Sequence, residues 1–193
     1  MMQTSRSEQQ LVKRSQRGDE DAFLELYLLY RDKIYRFAYR MLGERLGAED
    51  VTQDCFLSLV RQLNRFDLAR ATLGTYLYAI TRNLCHKRFR EAAPDVAPGS
   101  QKDEPRDERS PLIELLAVEL STEVARAVAG LPEFQREAII SFEFEGRTLA
   151  EVAMIAEADI GTVKSRLYRA RQRLRNELAP YLRKDSIRVA GEE

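Results

Sequence analysis

Between Glu91 and Pro111 the chain carries Pro94, Pro98, Gly99, Pro105 and Pro111 among Ala, Asp, Glu, Lys and Arg, with no helical or strand periodicity in its apolar residues. Proline has no amide hydrogen to give to a helix or a sheet, so no regular element is expected to cross this stretch. The chain therefore reads as a flexible linker over 92–111 joining two folding units over 7–91 and 112–184. Alternating β-branched runs are missing from both units, whereas apolar residues recur at helical spacing. The expected fold class is all-α: two small helical domains, the second containing a helix-turn-helix. A chain of 193 residues is long enough for two such cores.

The helix-turn-helix expectation rests on residues 148–175. Thr148-Leu-Ala-Glu151 matches a capping box, in which a threonine oxygen and a glutamate carboxylate satisfy free amides at a helix start; Leu149, Val152, Ala153 and Ile155 supply its apolar side. After a short turn, Asp159 to Arg175 reads as a second helix. At about 100° per residue, Val163, Leu167, Ala170, Leu174 and Leu178 share one side, while Ser165, Arg169 and Gln172 lie opposite, flanked by Lys164, Arg166 and Arg173. A charged outer face is often only solvated, but such faces mix both signs. Here Glu177 is the sole acid from Gly161 to Leu178, so the face is read as one for DNA.

Overall charge offers no help to that reading, since basic and acidic residues both total 31. Attraction to nucleic acid must come from local segregation: bases over Arg82–Arg90 and Lys164–Arg175, acids over Glu44–Asp54 and Asp103–Glu108. Cys55 and Cys85 are the only cysteines and His86 the only histidine, without the close spacing of a zinc site, so no metal and no cofactor are expected. Nothing at the amino terminus resembles a signal peptide, and no apolar run approaches the roughly 20 residues of a membrane helix. A cytoplasmic protein with reduced thiols and no membrane insertion is the expectation.

Two surfaces of the first unit carry more information. Over Ala48–Leu63, Val51, Cys55, Phe56, Leu59 and Leu63 form a broad apolar side; the remaining strip sets Leu57 among Asp50, Gln53, Asp54 and Arg61. That strip is either a polar contact for a basic partner helix or simply a singly exposed leucine. Over Thr75–Arg90, Tyr76, Leu77, Ile80 and Leu84 are expected to be buried, leaving Tyr78, Arg82, His86 and Phe89 opposite, with Lys87, Arg88 and Arg90 nearby. Interleaved rings and cations suit unpaired bases, each worth about 1–3 kcal/mol when stacked. The alternative is packing, with Tyr78 and Phe89 against another helix.

Five segments in this order and spacing resemble a known family: Gly18-Asp-Glu-Asp-Ala-Phe23, Ala48-Glu-Asp-Val-Thr-Gln-Asp-Cys-Phe-Leu57, Thr75-Tyr-Leu-Tyr-Ala-Ile-Thr-Arg-Asn83, Leu131-Pro-Glu-Phe-Gln-Arg136 and Gly161-Thr-Val-Lys-Ser-Arg-Leu-Tyr-Arg-Ala-Arg171. From Leu11 to Leu182 the chain is similar to the extracytoplasmic-function sigma factors, bacterial initiation factors for RNA polymerase. The resemblance implies that the first unit is sigma region 2 and the second sigma region 4. It implies that Asp50, Gln53, Asp54 and Leu57 meet the polymerase clamp's coiled coil. Tyr78, Arg82, Asn83, His86, Arg88 and the loop Arg65–Gly74 would then serve the melted minus-ten strand, and Thr162, Lys164, Ser165, Arg166, Arg169 and Arg173 the minus-thirty-five duplex.

The partners implied are core RNA polymerase through its clamp and flap, promoter DNA, and an anti-sigma factor; no covalent chemistry is implied. A regulator with a ligand pocket or a nuclease would need acceptor, metal or nucleophile arrangements that this sequence lacks. Two positions depart from the family pattern. Tyr76 stands where a Trp is usual and is read as a core substitution. Glu157 stands where the helix-turn-helix usually has Gly, so it either leaves the left-handed region or costs about 1 kcal/mol to hold it.

Overall fold

Helix α2 (Glu20–Leu42) sets the first module, and its limits follow from local chemistry. The Asp19 carboxylate accepts the amide of Ala22 at 3.0 Å, a side-chain cap for a free donor. Its end is Gly43 at φ 75°, whose amide closes on the Tyr39 carbonyl at 2.7 Å. Between these stops Ala22, Leu26, Tyr30, Ile34, Phe37, Ala38 and Met41 recur every three or four residues and are buried. Each large side chain of that row contributes about 1.5–3 kcal/mol by leaving water.

The computed structural model describes residues 2–91 and 122–189, with side chains over 7–91 and 122–181. Around α2 the first module packs α1 (Met2–Ser15), α3 (Arg45–Gln62), a 3₁₀ turn at Leu63–Arg65, and α4 (Leu73–Glu91). The second module comprises α5 (122–129), α6 (Glu133–Ile139) running into a π-helical turn at Ile140–Phe144, α7 (Leu149–Ile155) and α8 (Ile160–Val189). No strand occurs among the described residues. The expected linker over 92–111, and the part of the expected Leu112–Ala129 helix before residue 122, lie outside them.

Two expectations from sequence change in the folded chain. Helix α8 runs on through Pro180 to Val189, past Leu178, the last residue of the apolar stripe expected for it. Pro180 is exposed, so the carbonyl it leaves unpaired can turn to water, which moderates the cost of an internal proline. The two modules also do not hang apart: one continuous apolar cluster joins Phe37, Met41 and Tyr78 of the first to Val128, Leu131, Ile139 and Ile155 of the second.

The capping box is present as expected. Thr148 Oγ1 accepts the Glu151 amide at 3.2 Å, and Glu151 Oε2 accepts the Thr148 amide at 2.9 Å. Partial burial pulls the Glu151 carboxyl upward, but the Thr148 bonds and the nearby Arg147 outweigh it, and the carboxyl sits below the usual carboxylate range. Burial pushes the Cys55 and Cys85 thiols up to about 11 and about 12, so both are inert apolar fillers near neutral pH.

Thr148→Ala is expected to lower unfolding free energy by about 1 kcal/mol in urea melts near neutral pH. Glu151 has a depressed folded value, so its contribution is present above the range in which a free glutamate titrates and is lost as pH falls through the folded value. The gap between wild type and variant should therefore narrow in acid; a gap constant with pH would contradict this.

Candidate nucleic-acid interface

The α8 face opens as the sequence reading expects. Asp159 caps the helix, accepting the Thr162 amide at 2.8 Å and the Thr162 hydroxyl at 2.6 Å, and these bonds hold its carboxyl below the usual range. Val163, Leu167 and Ala170 are buried, so Lys164, Ser165, Arg169 and Arg173 face outward. Ser165 Oγ donates back to the Gly161 carbonyl at 3.0 Å. Tyr168, 65% exposed beside Arg169, adds a residue not expected from sequence; an aromatic on the polar side of an amphipathic helix is its signal.

Two members of the expected set are engaged differently. Thr162 is spent on the cap, and Arg166 is half-buried with its guanidinium 4.8 Å over the Phe134 ring. Arg166 thus packs onto α6 of its own module and not into the outward face.

On α3, Asp50, Gln53, Asp54 and Leu57 all lie exposed on one strip, with Leu57 at 44% and Val60 also uncovered. The opposite side buries Val51, Cys55, Phe56 and Leu59, as the periodicity requires. One ion pair ties this strip to α4: Arg88 donates to Asp50 Oδ2 at 2.8 Å, so Arg88 is partly committed to a neighbour expected to serve another partner.

The α4 face requires correction. Tyr78, expected outside, is fully buried: its ring meets Phe37 edge-on at 5.1 Å, and its hydroxyl donates to Glu145 Oε2 at 2.5 Å. Burial first, then the bond and charge of Glu145, raise the Tyr78 phenol well above its ordinary value. Tyr76, Ile80 and Leu84, expected inside, are only partly covered, and the Tyr76 hydroxyl reaches Gln62 Oε1 at 2.9 Å. The helix is rotated relative to the sequence reading because a second set of helices covers what would otherwise be its outer side.

That cover comes from the second module and is acidic. Arg82, whose side chain is 12% exposed, donates through Nε to Glu137 Oε2 at 3.2 Å and through an Nη to the Ala156 carbonyl at 3.2 Å. His86, at 7%, lies 2.8 Å from the same Glu137 oxygen through Nε2, with Glu133 against Nδ1 and the Phe134 ring 5.2 Å away. Asn83 remains exposed, its amide donating to Glu157 Oε1 at 3.4 Å; Arg82 lies 3.6 Å from that oxygen.

Glu157 holds φ 49°, the only left-handed non-glycine among the described residues, so it keeps the turn geometry at a strain cost. Further along the seam Arg40 meets Glu145 at 3.1 Å, Arg147 lies 4.5 Å over the Tyr78 ring, and Arg136 donates to the Met41 carbonyl at 2.6 Å.

The acidic seam was missed in the sequence. Its signal was Arg136-Glu137 placed directly against the apolar run Ala138-Ile-Ile140, since charges continuous with a buried run need partners.

A two-module helical protein whose second module carries a helix-turn-helix with an outward basic helix has the form of a DNA-binding protein. Comparisons with known proteins narrow it. The Sigma-70 region 2 family matches residues 26–94, and the Sigma-70, region 4 family matches residues 121–174. The chain is 32% identical to the ECF RNA polymerase sigma factor SigW of Bacillus subtilis, over 86% of this chain and 94% of that one. It is 33% identical to the RNA polymerase sigma-H factor of Pseudomonas aeruginosa, over 94% and 99%. Among solved structures, the sigma factor RpoE from Bartonella quintana, in complex with the anti-sigma factor NepR, aligns with a TM-score of 0.67 and 27% identity over 81% of this chain and 96% of that one. CnrH, in complex with the cytosolic domain of CnrY, shares the fold with a TM-score of 0.70 at 21% identity over 90% and 98%. The chain belongs to the extracytoplasmic-function RNA polymerase sigma factors. No helix among the described residues is long and apolar enough to cross a membrane.

Tyr78→Phe removes one of the donors to the nearly buried Glu145 carboxylate and is expected to destabilise the protein by about 2 kcal/mol in thermal or urea unfolding. A loss under about 0.5 kcal/mol would mean that the hydroxyl does not hold the seam.

Proposed function

We propose that this sigma factor directs promoter-specific initiation by core RNA polymerase through three separate surfaces, and that it performs no covalent chemistry itself. The observation that carries the reading is the outward α8 face: Lys164, Ser165, Arg169 and Arg173 on one side of a helix anchored by Val163, Leu167 and Ala170, with no acid between them. Lys164 and Arg173 suit phosphates. Ser165 and Arg169 suit base edges, where a guanidinium can give two parallel bonds to guanine. Tyr168 lies on the same exposed side and suits contact with a thymine methyl or a sugar.

The exposed strip Asp50, Gln53, Asp54 and Leu57 suits docking to the polymerase clamp, as an apolar knob framed by acids for a basic partner helix. In the first module Arg82, Asn83 and His86 are the groups proposed to hold the opened strand, with Arg88 at the edge and the loop Arg65–Gly74 beside them. Tyr78 is better read as a core residue, since its hydroxyl and ring are both committed. Region 2 is proposed over 7–91 and region 4 over 112–184. An anti-sigma partner, of the kind present with RpoE in its complex, is proposed as the regulator, and the setting as the cytoplasm, where polymerase and promoter are found.

Two measurements check this. Arg169→Ala should cost about 1–3 kcal/mol on the preferred duplex and little on a scrambled one, whereas Lys164→Ala should weaken both equally and lower the salt slope by about 0.9. Equal losses for Arg169→Ala on both duplexes would remove its base-reading role. Mixed with sigma-free core polymerase and a genomic promoter library, the protein should give start-site-specific transcripts, and Asp54→Arg should abolish them together with binding to core. Transcripts that survive loss of the strip would contradict the docking surface.

A further inference from the structure

The two proposed DNA faces are not equally available. On α8, Lys164, Ser165 and Arg169 stand in solvent, whereas on α4, Arg82 and His86 lie under the second module. What covers them has the chemistry of the nucleic acid they are read to hold. Glu137 gives one carboxylate oxygen to both Arg82 and His86; Glu133 faces the other His86 nitrogen; Glu157 bonds Asn83 and pairs with Arg82; and the Phe134 ring lies against the imidazole. Anionic oxygens on the cations and an aromatic face on the ring are what phosphates and a base would supply.

Glu137 deepens the case. It is fully buried, and one of its carboxylate oxygens finds no hydrogen-bond partner. Its partners Arg82 and His86 belong to the first module, so the second module alone does not satisfy it. A half-satisfied buried carboxylate makes a contact that can be exchanged for a better-matched anion. Glu157 points the same way: a carboxylate kept at φ 49°, in a turn where glycine would be free of strain, reaches across to Asn83 and Arg82.

We propose that the second module acts as an intramolecular competitor for the strand-binding face. Glu133, Glu137 and Glu157 occupy Arg82, Asn83 and His86 in place of DNA while the α8 duplex face stays open. The closed protein can then engage double helix, but it captures an opened strand only after the modules separate. Free sigma factor is thereby kept from unpaired nucleic acid until a partner that favours the open form, such as core polymerase, has bound. This inference rests on reading Arg82 and its neighbours as the strand-holding groups.

The test uses the full chain without tags and a fluorescein-labelled single strand of about 16 thymidines, followed by anisotropy. The opened variant is Glu133→Gln, Glu137→Gln and Glu157→Gly; glycine keeps the left-handed turn. A charge-matched control is Glu20→Gln, Glu25→Gln and Asp32→Asn on the exposed side of α2. Because His86 is the sole histidine, its imidazole resonance is assigned without ambiguity. If the open form is about a tenth of the wild-type population or less, the opened variant should bind about tenfold tighter or more, the control should stay within about twofold of wild type, and the His86 signal should shift. Adding Arg82→Ala to the opened variant should remove the gain.

A converse arm joins Asn83→Cys to Glu157→Cys with a short bismaleimide, the native thiols being inert. The locked protein should lose strand binding about tenfold or more against the same variant capped with N-ethylmaleimide, yet keep its affinity for a random-sequence duplex. Several results would overturn the competitor: an opened variant that gains no more than the control, an unshifted His86 signal, or a locked protein that binds the strand as well as the capped one. A different result, in which the opened variant binds the strand equally well without Arg82 or does not bind it at all, would sink the strand-holding reading and take the competitor with it.

Discussion

A carboxylate shut away from water must be paired, and Glu137 finds its pairs across the boundary between the two modules. That requirement organises the seam. Arg82 and His86 are drawn inward to meet it; Phe134 fills the space beside the imidazole; Arg166 is drawn over the same ring. Around this centre Arg136 reaches the Met41 carbonyl, and Glu145 gathers Tyr78 and Arg40. The seam is therefore polar at its middle and apolar along its sides, where Phe37, Met41, Ile139 and Ile155 share one cluster. A boundary with a polar centre suits modules that must part, because the charged groups exposed on opening are ones that water or another anion can satisfy.

The helices themselves were legible because their signals are local. Asp19 and Gly43 bound α2, Thr148 and Glu151 open α7, and the spacing of Val163, Leu167 and Ala170 fixes which side of α8 faces out. The exposed strip around Leu57 followed from the same spacing on α3. The face of α4 did not. A helix covered on two sides has no single apolar stripe, and Tyr78 reads equally well as an outer ring or an inner one until the identity of its neighbour is known. Its neighbour, Glu145, lies 67 residues away, beyond a segment whose sequence gives no hint of how the modules meet. The reach of α8 beyond Leu178 was hidden for a simpler reason: the apolar stripe stops there and Pro180 is an unfavourable helix residue, yet the helix continues through it.

Glu157 ties the sequence departure to the geometry. Where the family resemblance implies glycine, this chain keeps the left-handed turn and adds a charge that bridges to Asn83 and Arg82. The turn of the helix-turn-helix thus serves two ends at once. It sets the angle between α7 and α8, and it helps hold the first module's cations against the second.

On the competitor proposal, the two modules are held together in the free protein and part when polymerase binds. The most direct measurement is the distance between spin labels on Asp32→Cys in α2 and Asn176→Cys in α8, both exposed positions, taken free and in complex with core RNA polymerase. One narrow short distance in the free protein, replaced by a longer one in the complex, is the predicted result. A broad distribution in the free protein, or the same narrow distance in both states, would contradict it.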